Sequence, residues 1–509
     1  MASLLLTCVH IDAFAGCEKW IRPGMSLVIN DASLPAGDVE VCIERANYDG
    51  QLDIQGVRGR KVKFTSEYAD SSLWASFRGG VLIRNSSNIT LTKINVSRPI
   101  VDPLSDPAAI LIDQGSENNV IDEVHVHDSS HGIAIGGAVY QGQGGPAGAG
   151  NIIQNSQVEK IRLNGITVGK GSATVVNASH KTNPFGTFIS RNKVNDTGGH
   201  GIDVDESKGV RIVNNIVSNA GSTKTVAPGG YSGIHLYSSK DNGSCSSSQV
   251  FYNYVWGTKS IPGVEGTDGN GIQLDNFCDD NAVGYNVVWN NAGAGIAIFN
   301  AARNEVYSNT VAFNSQQEGR TATFDPKSSG VGEIVLSACI DRRTEKNQCA
   351  EFRPHDGRTN NNNVYDNIVF SSIQRAPGIN VHETAVKNEL KPGEDLRNKV
   401  GPNMISTAGA VGDAAWPLLV YGQNSSFFTN EAVDQATSTS GNLIEIPSVV
   451  GYDPNNLASV YTGNSFQLTR LPSKIGKKFP ERALWIDILG QHSNDIGSVF
   501  FGAYYNLKK

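Results

Sequence analysis

A phrase repeats along this chain: Gly-Ile-x-aliphatic-x, followed about thirteen residues later by Asn-x-Val. It stands as Gly201-Ile202-Asp203-Val204-Asp205, Gly233-Ile234-His235-Leu236-Tyr237, Gly271-Ile272-Gln273-Leu274-Asp275 and Gly295-Ile296-Ala297-Ile298-Phe299. The second half reads Asn215-Ile216-Val217, Asn253-Tyr254-Val255, Asn286-Val287-Val288 and Asn309-Thr310-Val311. Where nothing is inserted the unit is 23 or 24 residues, as from Asn192 to Asn215 or Ile272 to Ile296. One such unit cannot bury its apolar face alone, so a fixed period implies a solenoid of stacked coils. Short alternating stretches with β-branched interiors, and no helical period, make the coils strands. The expected architecture is all-β, a single-stranded parallel β-helix.

A solenoid grows in one dimension, so 509 residues need no division into ordinary domains. The many tight turns this requires account for 55 Gly, and a core of stacked Ile, Val and Leu accounts for only 8% aromatic residues. A net charge of −7 without a basic run argues against duplex nucleic acid as a partner. No apolar stretch beyond the N-terminus is long enough to span a bilayer, so no membrane partner is expected.

Residues 1–15 read as a signal peptide: Leu4-Leu5-Leu6 and Val9 to Phe14 are apolar, and Ala13-Phe14-Ala15 precedes Gly16 as a small-x-small cleavage site would. The usual positive n-region is missing. With Cys8 removed, six cysteines remain, an even number. Their proximity suggests Cys17–Cys42, Cys245–Cys278 and Cys339–Cys349, although sequence alone does not choose among pairings. Disulfides imply a secreted or periplasmic protein. Residues 16–395 then form the β-helix, and 396–509 the last coils and a C-terminal cap that shields the open edge. The recurring Asn has a structural explanation, since it tolerates a left-handed turn and its amide can bond along the stack.

Insertions cluster. Segments 218–232, 256–270 and 312–330 precede a Gly-Ile strand, and 136–150, 169–187, 238–249 and 336–362 follow one. Loops rising on both sides of one sheet make a groove, and per-repeat insertions on one face mark a binding face. Alternation along a strand sends the Ile and the next aliphatic residue inward, so the x residues form the groove floor. The first floor column reads Ala134, Thr167, Asp203, His235, Gln273, Ala297, Glu333 and Asn380. The second reads Gly136, Gly169, Asp205, Tyr237, Asp275, Phe299 and Val335. Three successive coils thus carry Asp/Asp, His/Tyr and Gln/Asp, six polar side chains on a patch of about 10 Å by 7 Å.

Two chemistries suit such a patch. Glycoside hydrolysis needs one protonated and one ionised carboxyl across the scissile bond, and Asp203, Asp205 and Asp275 supply the carboxyls. It is the leading expectation, with inversion favoured by the spacing. The alternative is β-elimination or C5 epimerisation of a uronate, with His235 and Tyr237 as base and acid. That route needs a cation against the substrate carboxylate: Lys208, Lys240, or a Ca²⁺ held by Asp203, Asp205 and Asp275. No other cofactor is implied. Gln273, His200 and Phe299 complete the set as sugar-binding residues. A third possibility is a non-catalytic glycan-binding surface protein.

The coils from about 81 to 385 resemble the right-handed parallel β-helix of carbohydrate-binding proteins and sugar hydrolases, a fold that also houses pectate lyases and alginate epimerases. Pro35-Ala36-Gly37-Asp38-Val39 and Phe501-Gly502-Ala503-Tyr504 are similar to the start and end of many secreted members. The resemblance implies an exported, polysaccharide-active β-helix. Gly199-His200-Gly201 resembles the Gly-His-Gly of polygalacturonases, but the upstream Asn-Thr-Asp and Asp-Asp motifs of that family are missing. Pro354-His355-Asp356 resembles part of the Asp-Pro-His-Asp motif of alginate C5-epimerases, with Arg353 in place of the leading Asp.

Overall fold

In the computed structural model, successive strands feed three sheets in turn and stack in parallel, coil on coil, with thirteen strands in each sheet among the described residues. The structure describes residues 16–136, 145–169, 186–222, 230–239, 243–260, 268–316, 332–338, 359–371, 377–381, 398–401, 403–406, 418–420 and 443–444. Each coil runs through the three sheets in turn, and every strand pairs with its counterpart one coil away. The Gly-Ile strands build one sheet. Its register runs Ala134↔Thr167↔Asp203↔His235↔Gln273↔Ala297, and Asp205↔Tyr237 beside it. The first floor column is therefore a true column as far as Ala297, and in the second the ladder pairs Asp205 with Tyr237.

Two members are displaced. Ala297 pairs with Val335, not Glu333, and Val335 with Asn380, while Phe299 pairs with Ser337. Hydrogen bonding sets the register, and the insertion before this strand hides the two-residue shift. The sheets continue past residue 395, to strands Lys399–Val400, Met404–Ser406, Leu418–Val420 and Leu443–Ile444. The leader at 1–15, the Cys339–Cys349 pair, Pro354-His355-Asp356, the final Phe501–Tyr504 and most of the insertions lie outside the described residues.

The interior is apolar and continuous: Ile202, Ile234, Ile272, Ile296, Ile334 and Ile379 stack fully buried in the Gly-Ile sheet. The repeated glycine has a spatial cause. A Cβ on Gly201 would come within 2.6 Å of the Gly233 carbonyl oxygen, and one on Gly233 within 2.7 Å of that of Gly271. The disulfides Cys17–Cys42 and Cys245–Cys278 are formed, with Cα–Cα separations of 5.6 and 4.6 Å. Among the described residues no helix is long and apolar enough to cross a membrane.

The recurring asparagines stack as a buried ladder: Asn192, Asn215, Asn253, Asn286, Asn309, Asn367 and Asn403. Each amide oxygen accepts from the backbone N–H and the side-chain N–H of the asparagine one coil earlier, as Asn253 does from Asn215 at 2.9 and 3.0 Å. The left-handed backbone falls one residue earlier than the sequence suggests, on Arg191, Asn214, Tyr252, Tyr285, Ser308 and Asp366. Such a conformation costs a non-glycine residue about 1 kcal/mol. The ladder hydrogen bonds offset it, so amide stacking is what the repeat of asparagine serves.

A second, shorter ladder ends on Glu333. The Thr258 N–H donates to Asn291, the Asn291 N–H to Asn314, and the Asn314 N–H and amide to the Glu333 carboxyl at 2.6–3.0 Å. Glu333 is fully buried. Burial pushes its carboxyl up to about 8 against the opposing pull of the Asn314 hydrogen bonds. A carboxyl raised on folding binds its proton more tightly in the folded state, so stability falls as pH rises from the unfolded value near 4.5 to about 8. Glu333→Gln should therefore raise stability by roughly 3 kcal/mol at pH 8 and leave it nearly unchanged at pH 4. Thermal unfolding of both proteins at the two pH values checks this.

Candidate active site

Alternation aims Asp203, His235 and Gln273 out of adjacent strands of the Gly-Ile sheet, and the structure brings them together beneath the surface. Asp203, Asp205, His235, His200 and Gln273 are 2–8% exposed, whereas Tyr237, Asp275 and Phe299 are half-buried. The expected open patch is thus a sunken one. His235 is its centre. Nδ1 lies 3.0 Å from Asp203 Oδ1, and Nε2 lies 3.3 Å from Asp275 Oδ2. Ionised carboxylates only accept, so both ring nitrogens donate and the ring is an imidazolium. Burial alone would depress the His235 pKa, but hydrogen bonds to both aspartates and their charges lift it to about 10.

Each aspartate is anchored in turn. The other oxygen of Asp203 accepts from the Asn164 amide at 2.9 Å, and Asp275 Oδ1 accepts from the Asn276 N–H at 2.7 Å. Burial works against ionisation of Asp203, but the His235 hydrogen bond and the charge of that imidazolium hold its carboxyl below the usual range.

His200 does reach the site. Its ring stacks on His235 at 4.1 Å and is nearly parallel to it, and Tyr231 meets it edge-on at 5.3 Å. The Ser232 N–H donates to His200 Nδ1 at 3.0 Å, which puts the proton of a neutral ring on Nε2. Burial and the adjacent imidazolium push its pKa down to about 3, so the stack is one charged ring on one neutral ring. Tyr237 lies over the other side of His235, with 5.9 Å between centroids.

Gln273 is not available as a sugar ligand. Its Oε1 accepts from Ser232 Oγ at 2.6 Å and Asn270 Nδ2 at 2.9 Å. Its amide hydrogen-bonds the carboxyl of Asp268, a residue absent from the expected set. Asp268 is half-buried in the turn before the Gln273 strand. Burial and the charge of Asp275 raise its pKa to about 7, with His235 and Gln273 pulling the other way.

Lys208 is exposed on the turn after Asp205, and Lys240 lies outside the described residues. Phe299 begins the far end of the second column, beside Ser337. The carboxylates expected to share a Ca²⁺ do not converge, because the ring of His235 stands between Asp203 and Asp275. Among the described residues His200, Asp203 and His235 offer ligand atoms within 4.8 Å of one another. Both His235 nitrogens and His200 Nδ1 already have partners, so an ion there would have to displace a hydrogen bond.

The missed residues follow a pattern. Asn164, Ser232 and Asn270 each stand just before a Gly-Ile glycine, as do His131 and His200. That position is a third column in the sequence, and it holds Asn164, Ser232 and Asn270 but not Asp268, Asn276 or Tyr231.

Residues 70–263 match the family described as "Right handed beta helix region". The fold is a right-handed parallel β-helix. Similar solved β-helices include the A-module of Azotobacter vinelandii mannuronan C-5 epimerase AlgE4, at 12% identity and a TM-score of 0.46 over 77% of this chain and 91% of that one. The periplasmic alginate epimerase AlgG follows at 15% and 0.40, over 78% and 81%. Pectate lyase Pel9A stands at 12% and 0.39, over 92% and 89%. Likeness at these identities belongs to the β-helix and transfers no residue role. A search of curated proteins finds no match.

Proposed function

We propose that this β-helix is an exported polysaccharide-modifying enzyme that abstracts the C5 proton of a uronate, leading to β-elimination or epimerisation. The observation that carries the reading is the His235 imidazolium fixed between Asp203 and Asp275. A uronate carboxylate must be neutralised before its C5 proton becomes acidic enough to leave, and a preorganised cation does this without reorganisation cost. A substrate carboxylate would reach His235 by taking Nε2–H from Asp275, the longer and less buried of its two contacts, and the exposed Lys208 stands at the rim for a neighbouring sugar carboxylate. Tyr237, half-buried beside His235, is placed to give a proton either to the leaving O4 or to C5 from the opposite face.

The same geometry weakens hydrolysis by paired aspartates. That reaction needs one carboxyl protonated. Asp203 is held ionised, and Asp275 shares the same imidazolium. The formed disulfides support export into an oxidising compartment.

Purified protein would be incubated in D₂O with alginate, pectate and a neutral glucan. Absorbance near 235 nm, reducing ends and deuterium at C5 would be followed together. Elimination predicts absorbance with reducing ends, and epimerisation predicts C5 deuterium without new ends. Reducing ends alone, on any of the three, would sink the proposal in favour of hydrolysis.

A further inference from the structure

We propose that Asp268 is the base that removes the C5 proton. The inference rests on the uronate reading above and names the one role that reading leaves unfilled.

Asp268 lies in the turn Asp268-Gly269-Asn270, wedged between the coil before it and the coil after it. A methyl group on Gly230 would come within 2.5 Å of the Asp268 carboxyl carbon and Oδ2. One on Gly293 would overlap the Asp268 carbonyl oxygen. Two glycines in neighbouring coils thus leave the space that this residue fills. Its carboxyl is then aimed by a relay of hydrogen bonds. The Asn270 amide and the Ser232 hydroxyl both donate to Gln273 Oε1, which fixes the Gln273 amide so that its N–H₂ points to Asp268. Ser232 also donates its backbone N–H to His200, so one residue orients the base and the ring under the imidazolium. A carboxylate so held belongs to a site, because an ordinary surface aspartate would face water.

The electrostatic setting suits the role. The charged groups facing Asp268 are Asp275, which raises its basicity, and His235, which lowers it. The result, near 7, is where a general base is most useful at neutral pH. Asp203 is tied to His235 Nδ1, and the neutral His200 carries its proton on Nε2, so neither of these takes the proton.

In the step, Asp268 takes the proton from C5 and becomes the neutral acid. The C5–H electron pair moves onto the carboxylate facing His235. It then either forms the C4=C5 double bond, as the C4–O4 bond breaks and Tyr237 protonates O4, or returns to C5 as Tyr237 delivers a proton there. The Asp268 proton and the tyrosinate are discharged through solvent.

Asp268→Asn keeps the acceptor for Gln273 and the shape of the turn. It should lower kcat at least a thousandfold with KM within about threefold. In the wild type, kcat/KM should rise with pH through about 7 as Asp268 ionises and fall towards 10 as His235 loses its proton. In Asp268→Glu the lower limb moves. Formate should restore turnover to Asp268→Ala, which a merely positional residue would not permit. An Asp268→Asn variant keeping more than a tenth of the wild-type rate, or the same lower limb, would overturn the assignment. A wild type giving absorbance near 235 nm or C5 deuterium beside an active Asp268→Asn removes Asp268 alone. A wild type giving reducing ends only removes the uronate reading, and the base with it.

Discussion

His235→Asn is expected to abolish turnover, with kcat reduced at least a thousandfold. Two effects combine. On the proposed uronate reading, the substrate carboxylate loses the cation that makes C5 acidic. Asp203 and Asp275 lose the group that binds both, leaving Asp203 buried with only Asn164 on its other oxygen. An uncompensated buried carboxylate costs roughly 3–5 kcal/mol, so the variant should also unfold more easily. The two effects separate in the double variant Asp203→Asn/His235→Asn. Removing the stranded charge should return most of the stability and none of the activity, as a double-mutant cycle in thermal unfolding and product formation would show. Full activity in the single variant would mean that the imidazolium is a structural ion pair.

The largest effect on stability is expected in the asparagine ladder. Asn253→Ala removes the acceptor of the Asn215 backbone N–H and amide, and the donor to the Ile212 carbonyl and to Asn286. Every stranded group is buried, and each unmet hydrogen bond costs about 1–3 kcal/mol. The total should be about 3–5 kcal/mol after relaxation. Asn253→Ser should be milder. Ser156 already holds a place in the stack, accepting from the Val124 N–H and leaving its own N–H to Asn192. Denaturant unfolding of the two variants gives the order. Negligible losses in both would mean that the core isoleucines and valines carry the coil without the ladder.

Much of this could be read before any coordinates. The period of the Gly-Ile phrase yields the coil, and alternation yields the column Thr167, Asp203, His235, Gln273, Ala297, because a parallel stack converts sequence period into spatial adjacency. Proximity along the chain suggests Cys17–Cys42 and Cys245–Cys278, and the structure selects both among the pairings the sequence leaves open. Reading failed where the period is interrupted. Counting along the repeat puts Glu333 on the floor because an insertion precedes its strand, whereas hydrogen bonding puts Val335 there and leaves Glu333 buried at the strand's start.

Protonation states lay beyond the sequence for a different reason. A row of Asp, His and Gln says which groups are neighbours, and their charge depends on which atoms meet and how much water remains. Two aspartates read as acid and base become a clamp on one imidazolium, since each contributes one oxygen to a different nitrogen of His235. Asp268 stands in a turn, outside any strand alternation, and only the closeness of Gly230 and Gly293 brings its carboxyl to the site. The sequence by itself determined the solenoid and the order of residues along its floor, because both follow from periodicity. The tertiary structure decided which carboxyl is bound to the imidazolium and which is buried, because these depend on distances and on exclusion of water.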